Sequence, residues 1–182
     1  MADGPFAVWG WASITGEART SLTGMAAELP GECENVHIAV GSPHPGAAGF
    51  RTSHLEALRT RRVIELSGRA VPSITEFRDV ALVDAISRDL DAAKAFVAAQ
   101  LGDLARDDAK ERAERATLLA VLDAQGSLTT AALTLGIHKN TVLQRVRRAE
   151  ERRGRPATIQ VAELHAALLV CDVLGASVLP ES

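Results

Sequence analysis

The chain is short of aromatic residues, of cysteine and of long apolar runs, and each shortage excludes something. Aromatic residues make up 3% of 182 residues and tyrosine is absent. The core must therefore be built from Ala, Leu, Val and Ile, small side chains that suit closely packed helices. The two cysteines, Cys33 and Cys171, form neither a disulfide framework nor a Cys-x-x-Cys pair, which fits a reduced, cytoplasmic setting. No apolar run approaches the roughly 20 residues that a bilayer requires. The best, His165 to Leu174, is cut by Asp172, so no membrane partner is expected. The N-terminus has no basic region followed by an apolar one, hence no signal peptide. No internal repeat or low-complexity tract is present. What the chain does have, 47% hydrophobic and 24% charged residues, is an ordinary globular balance that excludes a disordered tail as the main reading. The length suits one large domain or two small ones.

The net charge of −3 argues against nucleic acid until it is divided along the chain. Residues 1–125 carry 13 Lys and Arg against 18 Asp and Glu, whereas residues 126–182 carry 7 against 5. All seven of the latter basic residues lie between Lys139 and Arg155, where Glu150 and Glu151 are the only acids. A charge of one sign packed into one segment is a stronger footprint for a polyanion than a global pI.

Residues 1–77 read as a small β-α-β-α-β module. Phe6 to Ile14 is apolar and β-prone, with Trp9 and Trp11 on one face, for which core packing is the default. Glu17 to Leu29 is helical and stops at Pro30-Gly31. Val36 to Val40 is a second strand, closed by Gly41-Ser-Pro-His-Pro-Gly46 and a Gly-rich loop to Gly49. A helix is expected from about Ser53 to Leu66, with Ser53 and Glu56 as a capping box and Gly68 as its end. Leu55, Leu58 and Leu66 share one face of it, and Ala57 and Ile64 the other. Ser73 to Phe77 is a short third strand. Residues 78–108 form a helical connector: Asp79 caps Val80 to Ile86, a second helix carries Leu90, Ala93, Phe96, Val97 and Leu101, and Gly102 to Asp108 is a polar interruption. Residues 109–182 form an all-helical domain. The fold class is thus α+β, a small α/β module followed by helices.

The informative stretch begins after an amphipathic helix, Lys110 to Gln125, closed by Gly126. Ser127 to Ala149 has the form of a helix-turn-helix. Ala131 and Ala132 supply small residues where a second helix crosses the first. Gly136 supplies the positive φ of the turn, and Leu135 and Ile137 bracket it. Val142, Val146 and Ala149 form the inner stripe of the second helix, expected from about 139 to 153. Asn140, Gln144 and Arg148 then point outward, with Arg147 beside them. Asn and Gln pair with adenine and Arg with guanine in the major groove of double-stranded DNA. Lys139 and Arg145 lie on the flanks and suit phosphate. Ser127, Thr129 and Thr130 open the first helix, where hydroxyls and backbone N–H groups hold phosphate. His138 precedes the second helix and either contacts phosphate or orders the turn, and Thr141 sits beside it in the first turn.

These residues, especially Gly136-Ile-His-Lys-Asn-Thr-Val142 and Arg145-Val-Arg-Arg-Ala-Glu-Glu151, resemble the C-terminal helix-turn-helix of PucR/CdaR-type bacterial transcriptional regulators, itself similar to the Fis type. Upstream, Gly41 to His54 and Ala57 to Val63 look like the end of the family's GGDEF-like domain, and Phe77 to Leu82 like its connector. The resemblance is strongest over 127–151 and weaker before residue 36. It implies a DNA-binding regulator, a homodimer on two half-sites, and a small-molecule effector sensed by a further N-terminal domain that this chain lacks. It also implies that the chain is a C-terminal fragment of a longer regulator. Two positions depart from the family pattern: Arg152-Arg153 replaces apolar residues, and Leu143-Gln144 stands where Arg-Tyr is frequent. Base preference therefore does not carry over.

No catalytic constellation stands out, and no cofactor is implied. His37, His44, His54, His138 and His165 show no metal-ligand spacing; His37 and His165 read as structural. The loop Gly41 to Gly49 lacks a phosphate-loop signature. The Gly-Gly-Asp/Glu-Glu-Phe motif is absent, which speaks against a cyclase. The rival readings are an effector-binding or dimerisation module with DNA binding secondary, and a degenerate nucleotide-cyclising enzyme.

Overall fold

The computed structural model describes residues 8–11, 37–67 and 73–180. Two short strands, β1 (Ile38–Val40) and β2 (Ile74–Glu76), pair in parallel with Ile38 opposite Ile74 and Val40 opposite Glu76. Parallel neighbours need a crossover, and helix α1 (Gly46–Leu66) provides it. Of the expected first strand, residues 8–11 have no regular structure; the helix Glu17 to Leu29, Cys33 and Gly68 lie outside the described residues.

Helix α1 begins at Gly46 after Pro45, so the loop is shorter than expected and Ser53 is a mid-helix residue rather than a cap. Glu56 does not pair with Ser53. It reaches back over the preceding loop, accepting from the Ser42 N–H at 2.7 Å and pairing with His44 Nε2 at 3.1 Å. The buried stripe of α1 is Gly49, Glu56, Thr60 and Val63. Leu55 and Leu58, expected to be inward, are exposed, as is Phe50. Trp11 stacks on Phe50 with centroids 5.6 Å apart, and Trp9 meets His54 edge-on at 4.9 Å. The tryptophans thus lie on the outside of α1, 40% and 59% exposed, and not in a core.

Helix α2 (Phe77–Ile86) follows β2 without a loop, so Asp79 sits in its first turn instead of capping it. Its carboxylate still favours the positive end of the helix dipole. Helix α3 (Leu90–Leu101) is capped by Asp89, whose side chain accepts from the Ala92 N–H at 3.0 Å. Residues 102–105 form a 3-10 turn, and Leu104 and Ala105 in it are buried. Two residues of the segment Gly102 to Asp108, expected to be a polar interruption, are therefore part of the core, and the rest of it is exposed or half-buried. Arg115 holds the segment in place, donating to the carbonyls of Leu104 and Arg106 at 2.7 and 2.6 Å.

Four helices complete the fold: α4 (Ala109–Asp123), α5 (Leu128–Leu135), α6 (Lys139–Arg153) and α7 (Val161–Leu174). One apolar cluster joins α1 to α7 through Val63, Val83, Val97, Leu101, Leu118 and Leu168. Helix α7 is central to it, with Leu164, Ala167, Leu168, Val170, Cys171 and Leu174 all buried. Burial pushes the Cys171 thiol up to about 12, so it packs as an inert apolar group. Arg62 fastens α1 to the end of α2 through the Ser87 carbonyl and Asp84. The architecture is α+β, a two-stranded module followed by an all-helical domain. Among the described residues, no helix is long and apolar enough to cross a membrane.

Candidate nucleic-acid interface

The helix-turn-helix starts at Ser127. Its hydroxyl accepts from the Thr130 N–H at 3.2 Å and lies 2.9 Å from the Thr130 hydroxyl. This fixes the first turn of α5, one of whose donors would otherwise be unpaired. Ala131 and Ala132 are buried with Val121 of α4 and Val142 of α6 in a small second cluster. Only methyl-sized side chains allow the two helix backbones to cross this closely. On the opposite side, Thr129, Thr130 and Leu133 are exposed.

The turn is made by Gly136, whose φ of +64° is left-handed. The Ile137 N–H then returns to the Ala132 carbonyl at 3.1 Å, the hydrogen bond that closes a Schellman helix end. Ile137 packs on the second cluster. His138 caps α6: its Nδ1 accepts from the Asn140 N–H at 3.2 Å. Of the two roles open to His138, ordering the turn is the one the geometry displays. Val142 and Ala149 are fully buried beneath α6 and Val146 is partly buried. Lys139, Asn140, Gln144, Arg147 and Arg148 are exposed, while Thr141 is half-buried. The outward set expected from the helical period is thus displayed on one surface.

The basic run is less uniform than its sequence suggests. Arg145 is half-buried and turned toward α4, with its Nη1 3.4 Å from the Thr117 hydroxyl. Arg152 pairs with Glu111 and Glu114 of α4. Arg153 is 6% exposed and donates to three backbone carbonyls. Arg155 donates to the last carbonyls of α3. Charge counted along the sequence treats the run as one footprint and does not distinguish these inward roles. The available signal was that Arg152-Arg153 falls where the family has apolar residues. Glu114, 1% exposed, has its carboxyl pushed up by burial, against the pull of Lys110, Arg148 and Arg145.

The remaining histidines are not expected to form a site. His37 is exposed beside β1, and His165 pairs with Asp123 at 2.8 Å on the surface. Among the described residues, no three His, Cys, Asp or Glu side chains converge as a metal site would require. An open cleft of about 240 Å³ between α4 and α7 is lined by Arg112, Leu119, Leu168 and Cys171 among others, and a shallower one of about 340 Å³ lies along α4 and α5.

A short first helix, a left-handed glycine turn and a second helix with one buried and one polar, basic face define a helix-turn-helix domain. The family model for the PucR C-terminal helix-turn-helix domain matches residues 115–170, and that for a GGDEF-like domain matches residues 2–63. The two matches, in this order, agree with the resemblance to the C-terminal part of PucR/CdaR-type regulators. The second match reaches back through the region before residue 36, where the resemblance from sequence is weaker. No curated protein and no solved structure matches the chain. A domain of this family supports a DNA-binding regulator.

Proposed function

We propose that the protein is a sequence-specific transcriptional regulator that reads the major groove of double-stranded DNA with α6. The observation that carries this is the sorting of α6: Val142 and Ala149 face the core at 0% exposure, while Asn140, Gln144, Arg147 and Arg148 share the open side. Asn140, Gln144 and Arg148 meet base edges. Lys139, Arg147, Thr129 and Thr130 meet phosphates, joined by Arg145 once it leaves its long hydrogen bond to Thr117. Ser127, His138 and Thr141 hold the two helix starts against the backbone of the duplex.

One such helix reads few bases, so two copies act together on half-sites about 34–36 Å apart. In this division residues 1–77 serve dimerisation or signal relay, residues 78–108 connect, and residues 109–182 bind DNA.

The test is selection of duplexes from a random library, followed by titration of the enriched duplex and of random DNA at several salt concentrations. Gln144→Ala is expected to lose about 1–3 kcal/mol on the enriched duplex and to relax one base position. Lys139→Ala should weaken all sequences alike and lower the salt slope by about one counterion. If no duplex is enriched, or neither change affects binding, α6 is only a solvated basic face.

A further inference from the structure

The two ends of α6 have different surroundings. At its start Lys139 and Asn140 stand in solvent. At and just past its end three arginines, Arg152, Arg153 and Arg155, turn toward the rest of the protein. Arg153 Nε donates to the Gln100 carbonyl at 3.0 Å, Nη1 to the Pro156 carbonyl at 2.7 Å and Nη2 to the Ile159 carbonyl at 2.9 Å. Arg155 donates to the Ala99 and Gln100 carbonyls at 2.8 and 3.3 Å and to Gln100 Oε1 at 3.0 Å.

Ala99 and Gln100 lie in the last turn of α3. A helix leaves its final carbonyls without internal partners and carries partial negative charge there. Two guanidinium groups satisfy both needs at once. Arg152 completes the grip from the other side, on Glu111 and Glu114 of α4. The backbone between α3 and the 3-10 turn is shaped for this approach. Gly102 has φ +55°, and a Cβ there would lie 3.2 Å from the Arg152 carbonyl oxygen.

We propose that Arg152, Arg153 and Arg155 are positioning residues, a clamp that holds the C-terminal end of α6 on α3 and α4 and so sets the angle at which its other end meets the bases. This rests on α6 being the recognition helix. The leverage is considerable. From Arg153 to Asn140 the helix rises about 20 Å. A tilt of about 10° about the clamp moves Asn140 by about 3 Å, more than a hydrogen bond tolerates. The clamp also makes the end of α3 the place where a movement of the upstream module would reach the reading face.

The test uses the full chain, with the duplex enriched by selection and random duplex DNA as probes. Arg155→Ala, Arg155→Lys and Arg153→Lys are compared with Arg147→Ala, an exposed residue given to phosphate above. The folded fraction is measured by circular dichroism so that affinities refer to folded protein. Arg155→Ala and Arg153→Lys are expected to reduce the preference for the enriched duplex by about tenfold, the scale of one lost base contact. Their salt slopes on random DNA should stay at the wild-type value, and Arg155→Lys should recover part of the preference. Arg147→Ala should instead lower the slope by about one counterion. A slope that drops as much for Arg155→Ala as for Arg147→Ala overturns the clamp in favour of a phosphate contact. An unchanged preference in folded Arg155→Ala overturns it too, and decides alone if Arg153→Lys does not fold. A wild-type chain that shows no preference overturns the recognition-helix reading itself, a separate and earlier failure.

Discussion

At the residue scale, Gly136 joins sequence to function most directly. Its left-handed φ of +64° is required by the turn, yet a Cβ there would meet nothing within 4 Å. The cost of a substitution is therefore conformational and not steric crowding. Gly136→Val is expected to lower stability by about 1–2 kcal/mol, and Gly136→Asn by less, because Asn tolerates this region. Thermal unfolding of the two variants side by side checks the order. Equal losses would mean that the φ of this turn does not matter. The role of Gly136 was legible because a turn between two helices needs such a residue at that spacing. The cap made by His138 was less so, since histidine is an uncommon N-cap and only the 3.2 Å contact of Nδ1 with the Asn140 N–H identifies it.

At the element scale, α1 shows how a local signal can be correct in chemistry and wrong in place. Ser-x-x-Glu is a capping pattern, but Ser53 lies inside a helix that starts at Gly46, and Glu56 stabilises the loop before it. Ser53→Ala is therefore expected to change stability by no more than about 0.5 kcal/mol. Glu56→Gln should matter, and in a pH-dependent way. Burial alone would raise the Glu56 carboxyl, but hydrogen bonds from Ser42 and His44 outweigh it and hold the group below its ordinary value of 4.5. A carboxyl depressed in the folded state contributes stability at pH above its unfolded pKa. That contribution is lost as the pH falls through the lower folded value. Glu56→Gln should remove this part of the acid limb, so its stability deficit at neutral pH should shrink toward acid. A deficit that stays constant with pH, measured by denaturant titration, would show that the carboxylate is not the source.

At the scale of the whole molecule, the core is shared between the strand-bearing part and the helices that follow it. Leu101, at the end of α3, is fully buried in the same cluster as Val63 of α1 and Leu168 of α7. Leu101→Ala is expected to cost about 2–5 kcal/mol. Trp9 and Trp11, the two tryptophans of the chain, sit against α1. Their fluorescence therefore reports on the outer face of α1, while far-ultraviolet circular dichroism reports mainly on the helices as a whole. Both signals should fall at one midpoint and move down together in Leu101→Ala, as a two-state transition requires. Two separated midpoints would mean that the parts unfold independently.

The sequence by itself determined the helix-turn-helix. Ala131-Ala132, Gly136 and the Val142–Ala149 spacing act over a few residues, and local spacing is what helical geometry enforces. It also determined which side of α6 is polar, because the period of 3.6 residues links the exposed face to the buried one. Only the tertiary structure decided the fate of the charges at the end of α6 and of Leu55 and Leu58 on α1. The partners of Arg153 and Arg155 on α3 lie 53 and 56 positions away, and a linear charge count cannot distinguish an arginine facing solvent from one facing a helix end. For the same reason the segment Gly102 to Asp108 reads as polar although Leu104 within it is buried. Its burial depends on α4 folding back over it and on Arg115 satisfying its carbonyls, neither of which is local to the segment.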